Sequence, residues 1–290
     1  MSAKSSKKLI TQQTKQKIGY GAMAFVTFVT ILPIIALIIY ILEKGMPVIS
    51  WEFISDFPRE GMRAGGILPA IVGTFYLTLG TALFSIPPGI AAAIYLSEYA
   101  TDNRWTQMIR VSMINLSGIP SVVYGLFGLG LFVIFLRFGT SILAASLTLS
   151  IMTLPVIIST AEEAMRSVPN SFRVISYSMG ISRWHTTWRI ILPQSLPGIL
   201  TGIILGLERA AGETAPILFT GAAFFLPRLP HSPFDATMAL PYHLFVISTQ
   251  VPGMPIQIQY GTVLVLLAFV LSMNIVASVI RSRSRARRQW

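Results

Sequence analysis

The sequence predicts an all-α polytopic membrane protein with six transmembrane helices, and three observations carry that prediction. Of its 290 residues 53% are hydrophobic and only 11% are charged, well under the roughly 25% of a soluble domain; the mean hydropathy is +0.68. The apolar residues gather in six runs, each near the roughly 20 residues that a helix needs to cross the hydrocarbon core. Lysine and arginine fall mostly on alternate sides of those runs.

The first run, residues 18–42, follows a basic segment, 1–17. It is too long for a signal-peptide core and lacks a small-residue cleavage site, so it reads as a retained first helix. The second run, 70–96, holds Pro87 and Pro88, and the third, 111–136, holds Gly118 and Pro120. Both are expected to break there, because proline removes a backbone donor and the freed carbonyls must find protein or water, as along a transport path. The fourth and fifth runs, 141–160 and 196–220, flank a polar and basic island within 161–195. The sixth run, 261–280, precedes an arginine-rich tail, 281–290.

Orientation follows from the positive residues, which stay cytoplasmic in short loops. With both termini inside, sixteen of the 22 lysines and arginines lie on the inner side and five on the outer, and Arg209 falls within an apolar run. The expectation is a multi-pass membrane protein with cytoplasmic termini, a cytoplasmic loop over 161–195, and outer segments over 43–69 and 221–260. The net charge of +11 is then an anchor that also attracts anionic lipid, rather than a nucleic-acid surface.

Several chemistries are excluded or disfavoured. There is no cysteine, hence no disulfide, thiolate metal site or cysteine nucleophile. No GxxxxGK[ST] loop is present to cradle ATP phosphates. The three histidines, His185, His231 and His243, are scattered, so a metal site is not expected, and solvated or capping roles suit them better.

Within the island, Phe172, Ile175 and Met179 recur at helical spacing and predict a short amphipathic helix closed by Gly180. Ser182 is placed to N-cap a second helix carrying Trp184, Trp188 and Arg189 along the membrane surface until Pro193 and Pro197 interrupt it. In the fifth run Arg209 and Glu213 sit four apart, where they share a helical face and can pair. A charge at that depth costs at least about 2.5 to 3.5 kcal/mol and needs a partner or water. Ala210, Ala211 and Gly212 beside them are small enough for a neighbouring helix to approach. A guanidinium also fits a phosphate with a planar donor fork, so the pair reads either as part of an anion path or as a structural ion pair at an interface. Glu208 points about 100° away from Arg209, and neither reading accounts for it.

Gly180, followed by Ile190, Leu192 and Pro193, resembles the second half of the docking-loop motif of ABC importer permeases. That motif opens with Glu-Ala-Ala, where this chain has Val174, Ile175 and Ser176. The run RAAGETAPILFT from Arg209 to Thr220 is similar to the signature of PstA, a permease subunit of bacterial phosphate importers. PGIAAAIYLSEY from Pro88, PSVVYGLF from Pro120 and EEAMRSVP from Glu162 agree with it.

The resemblance implies a type I ABC importer permease of MetI-like fold in a bacterial inner membrane, with 43–69 and 221–260 facing the periplasm, that moves inorganic phosphate by alternating access. It implies a heterodimer with a homologous permease, two ATP-binding cassette subunits that use the ATP, a periplasmic phosphate-binding protein, and no cofactor on this chain. It points to Arg209, Glu213 and Thr214 for the substrate path. Phe172, Arg173, Ile175, Ser176, Met179 and Gly180 are implied for coupling to the ATPase. The alternatives are a permease for sulfate or molybdate, an independent anion channel, or a phosphate-sensing scaffold of the same architecture.

Overall fold

The computed structural model describes residues 2–286, with side chains from 16 to 282. Arg287 and Arg288 of the expected anchor, and the side chains of Lys4, Lys7, Lys8 and Lys15, lie outside the described residues. Helix α1 (Ser2–Gly45) carries the basic segment and the first apolar run as one helix. A short helix α2 (Trp51–Ser55) comes next, capped by Ser50, whose Oγ accepts from the Phe53 N–H at 3.1 Å. A two-residue antiparallel hairpin, β1 (Pro58–Arg59) with β2 (Ala64–Gly65), sets Pro58 opposite Gly65.

Helix α3 (Leu68–Ile94) passes through Pro87 and Pro88 without the expected break. Both prolines lie on the exposed side of α3, and membrane helices tolerate such residues where local adjustment serves the freed carbonyls. A wider π turn over Tyr95–Tyr99 ends it. The third run does break: α4 (Arg104–Ser117) and α5 (Ser121–Gly128) meet at 101°, because Pro120 cannot continue the helix that Gly118 closes. A π-helical stretch, Leu129–Phe135, completes that arm.

Helix α6 (Ile142–Arg166) is capped by Ser141, whose Oγ accepts from the Ala144 N–H. Two short helices, α7 (Asn170–Ser178) and α8 (Arg183–Thr186), come after it. Ser182 caps α8 as expected, accepting from His185 N–H at 3.3 Å. Pro193 and Pro197 do not interrupt the next helix. A π turn over Thr187–Ile191 lets the Leu192 N–H reach the Thr187 carbonyl, and α9 (Leu192–Gly212) continues past both prolines. The fifth span therefore begins at Arg183 rather than near 196. Beyond it come α10 (Ala215–Thr220), α11 (Leu240–Thr249) and α12 (Ile256–Ala286). Among the described residues five helices are long and apolar enough to cross a membrane, and the bent α4–α5 arm makes a sixth.

Helix α6 is the central post, packed between α3 and α9. Small residues set the spacing: a Cβ on Gly89 would come within 2.8 Å of Ile157, and one on Gly202 would strike Thr160. Several buried hydroxyls on these helices are satisfied within their own turn, as with Thr81 donating to Leu77 O at 2.7 Å and Thr148 to Ala144 O at 2.7 Å, whereas those of Ser85 and Ser146 find no partner. Two apolar clusters result. One holds Leu149, Met152, Ile217 and Leu240; the other holds Ala161, Met165, Ile191 and Ile199 beneath α7. Helix α1 lies outside this body against α12, with Tyr40 and Tyr260 edge to face at 5.4 Å, and leaves its apolar sides outward as lipid or a partner requires.

Near its start α3 lies directly on residues 237–240. Leu240 N–H donates to Thr74 Oγ1 at 2.8 Å, and a Cβ on Gly73 would collide with the Met238 carbonyl and the Thr237 hydroxyl. We expect Gly73→Val to cost about 1–3 kcal/mol, the scale of overpacking in a filled core, read as a lowered unfolding midpoint of the purified chain in detergent.

Candidate functional site

Helix α9 stops at Gly212, and Glu213 is already extended (φ −75°, ψ 136°) before α10 restarts with Pro216 in its first turn. Proline is tolerated there because that N–H would have no helical partner in any case. Arg209 and Glu213 do pair, but across a helix end and not along one helical face as their spacing implied. The contact is long, Nε to Oε1 3.5 Å, with the arginine side chain 36% exposed and the glutamate 18%. At that length the bond is weak, and the guanidinium keeps donors to spare. Ala210 and Ala211 are buried as expected, whereas Gly212 is exposed with open space around it. Glu208 Oε1 is buried without a hydrogen-bond partner.

The break in the third run faces this one. A Cβ on Gly125 would come within 2.8 Å of Phe219 and 3.1 Å of Ala215 O, so α5 and α10 are in backbone contact. Tyr124 is buried in that contact, and its hydroxyl donates to the Leu116 carbonyl at 2.8 Å, closing the α4–α5 corner. Sequence reasoning missed Tyr124, although a lone tyrosine four residues after Pro120 at a predicted break was the signal for it. Thr214 is half-buried at the N-cap position of α10.

The second constellation lies at the α7 end. Gly180 has φ +76°, and the Ile181 N–H bonds to Ser176 O at 3.0 Å and the Gly180 N–H to Tyr177 O at 3.0 Å, a Schellman closure that makes the glycine necessary. The expected apolar face of Phe172, Ile175 and Met179 divides. Ile175 and Met179 are 59% and 72% exposed, with Val174 beside them, while Phe172 packs against the cluster below. Ser176 is buried and donates to Phe172 O. Arg173 turns inward as well, forking onto Glu98 at 3.0 and 2.6 Å. Of the residues expected for docking, Ile175, Met179 and Gly180 are thus presented outward, and Phe172, Arg173 and Ser176 hold the helix from beneath.

Glu162 is buried between Arg110 at 2.9 Å and Arg166 at 3.0 Å, and Arg110 also reaches Asp102 at 3.1 Å. The sequence marked EEAMRSVP only as a resemblance; the arginine across from it comes from a different helix, which spacing along the chain does not show.

A model of the family described as binding-protein-dependent transport system inner membrane component matches residues 85–288. The chain is 33% identical over 261 residues to the probable phosphate transport system permease protein PstA of Methanocaldococcus jannaschii, covering 89% of this chain and 90% of that one. It is 34% identical over 234 residues to the probable ABC transporter permease protein YqgI of Bacillus subtilis, covering 80% and 79%. In fold it is similar to a chain of a bacterial alginate ABC transporter solved with an alginate-bound periplasmic protein, with a TM-score of 0.69 at 15% identity over 94% of this chain and 96% of that one.

The histidines divide. His185 and His231 are exposed. His243 is neither solvated nor capping: it is 1% exposed on α11, outside the candidate spans, and neither ring nitrogen has a hydrogen-bond partner. Burial pushes its pKa down to about 4 from 6.5, so the folded protein holds a neutral imidazole that the unfolded chain would protonate. Stability from this residue is present above about pH 6.5 and drains away as pH falls towards 4. We expect the unfolding midpoint to drop across that window and the drop to be smaller in His243→Leu, measured by thermal unfolding in detergent at several pH values.

Proposed function

Because the chain belongs to the family of binding-protein-dependent transport system inner-membrane components, the permeases of ABC importers, we propose that its solute is inorganic phosphate. The observation that carries this reading is Arg209, a guanidinium at a helix break within an apolar span, held by Glu213 through one long contact of 3.5 Å. An oxyanion offers a planar fork better partners than that contact does. Glu213 in turn neutralises Arg209 when the path is empty and keeps the field weak enough for release. Thr214, beside the pair, adds a hydroxyl. The relative named as a phosphate permease supports the choice of solute; sulfate and molybdate present similar oxygens and are the competing solutes.

By the positive-residue rule α7 and both termini face the cytoplasm. The chain pairs with a homologous permease to enclose the path, takes phosphate from a periplasmic binding protein, and leaves ATP hydrolysis to two cassette subunits. The exposed face of Val174, Ile175 and Met179 would fill a groove of the ATPase. It is apolar where the docking motif of other importers places a glutamate, so desolvation replaces a charge contact in holding the two together.

Radiolabelled phosphate uptake tests the solute. Deletion of the chain should abolish high-affinity uptake, and excess sulfate or molybdate should not compete in the restored strain; competition by either would transfer the assignment to that anion. Arg209→Lys should lower uptake by roughly tenfold, the scale of one lost charge-assisted bond, with normal assembly, and Glu213→Gln should slow release. If both left uptake intact, the pair would be structural. Ile175→Asp should leave membrane insertion unchanged yet lower ATP-driven uptake by about tenfold or more, as truncating a docking hot spot does. Phe172→Asp is the poorer probe because it disturbs the packing under α7.

A further inference from the structure

Besides the packing of Phe172, helix α7 is tied to the membrane body by a guanidinium. Arg173 directs Nε and Nη2 to the two carboxylate oxygens of Glu98 at 3.0 and 2.6 Å, Nη2 also to Met165 O at 2.9 Å, and Nη1 to Val168 O at 2.9 Å. Both side chains are withdrawn from solvent, Arg173 15% and Glu98 4% exposed. Met165 is in the last turn of α6, where a cation also completes unpaired carbonyls and meets the negative end of the helix dipole. Glu98 stands in the π turn that ends α3, and Ser97 Oγ donates to it at 2.9 Å. The same turn is clasped from its other side by Arg110, whose Nη2 donates to Leu96 O at 3.2 Å while its Nε holds Glu162 of α6.

Three elements thus converge on one buried, bidentate ion pair. A pair of this kind contributes little to net stability, because desolvating both charges offsets most of their attraction, but breaking it leaves a buried charge exposed to a poor environment. Its value is geometric, since a planar fork fixes direction as well as distance. We propose that Arg173 and Glu98 are positioning residues of the transport cycle: they lock α7, the last turn of α6 and the foot of α3 into one body. A push on α7 then reaches α3 directly and not only along the 167–169 linker. This rests on the reading of α7 as the ATPase-docking helix.

The test uses the assembled importer, reconstituted with its second permease, cassette subunits and binding protein. Glu98→Gln and Arg173→Gln should each assemble and hydrolyse ATP, while solute moved per ATP falls by roughly tenfold or more, the scale of a lost bond between charged groups. The double variant should be no worse than the poorer single one, and Arg173→Lys should fall between. Unchanged solute per ATP in assembled single variants would overturn the proposal. Should the variants fail to assemble, the intact joint can be followed instead. The chain has no cysteine of its own, so spin labels at Tyr95→Cys and Ser178→Cys, both exposed, report its ends alone. Their separation should change by less than about 2 Å, a small helix shift, between the nucleotide-free and ATP-trapped states. A larger change would overturn the joint. If the unmodified importer hydrolysed ATP without moving phosphate, the solute assignment would fail, and the spin-label distances would still judge the joint.

Discussion

A membrane interior has no water to satisfy a broken helix, and the structure depends on how that constraint is met. The chain breaks twice at depth, at 118–120 and at 213–214, and each break frees backbone groups that lipid cannot serve. The two breaks cover one another. Gly125 lets α5 lie against the α10 backbone, Gly128 meets Thr148 and Thr220, and Tyr124 spends its hydroxyl on the Leu116 carbonyl. Irregular backbone buried in protein in this way can carry a charge, and Arg209 is that charge.

The α7 end obeys the same rule with different material. There the polar groups are side chains, and each buried acid is matched by arginine: Glu162 by Arg110 and Arg166, Glu98 by Arg173. The pairs of Arg110 with Glu162 and Arg173 with Glu98 join elements far apart in sequence, so they brace the region from which the exposed face of α7 projects. The contrast with Arg209 and Glu213 is one of geometry. The brace pairs are short and one, Arg173 with Glu98, is bidentate, whereas the pair at the helix break is long and partly open, which suits a group that must exchange partners.

Much of this was legible in the sequence. Six apolar runs, the Gly180 closure, the Ser182 cap and the nearness of Arg209 to Glu213 come from local rules of periodicity, capping and spacing. The treatment of proline as a certain break failed. Pro87 and Pro88 ride inside α3 on its exposed side, and Pro193 stands in the first turn of α9 just after a π turn, where a missing N–H costs little. Also illegible were contacts set by tertiary packing: Arg173 beneath α7 rather than on its docking face, His243 in a core rather than in water, and Tyr124 beside the breaks. Each depends on which helix lies opposite, and no window of one sequence holds that information.

In the proposed route for phosphate, the break at 213–214 opens onto a water-filled path. The absence of native cysteine makes a direct measurement available: Thr214→Cys in the assembled importer, labelled with a small, charged, water-soluble thiosulfonate, with Ile217→Cys, buried on α10, as control. With such a path the Thr214→Cys thiol reacts at a rate that depends on nucleotide state, phosphate slows it while sulfate does not, and the control stays inert. A Thr214→Cys thiol that stays unreactive in every nucleotide state would contradict the path and leave Arg209 and Glu213 as a structural pair.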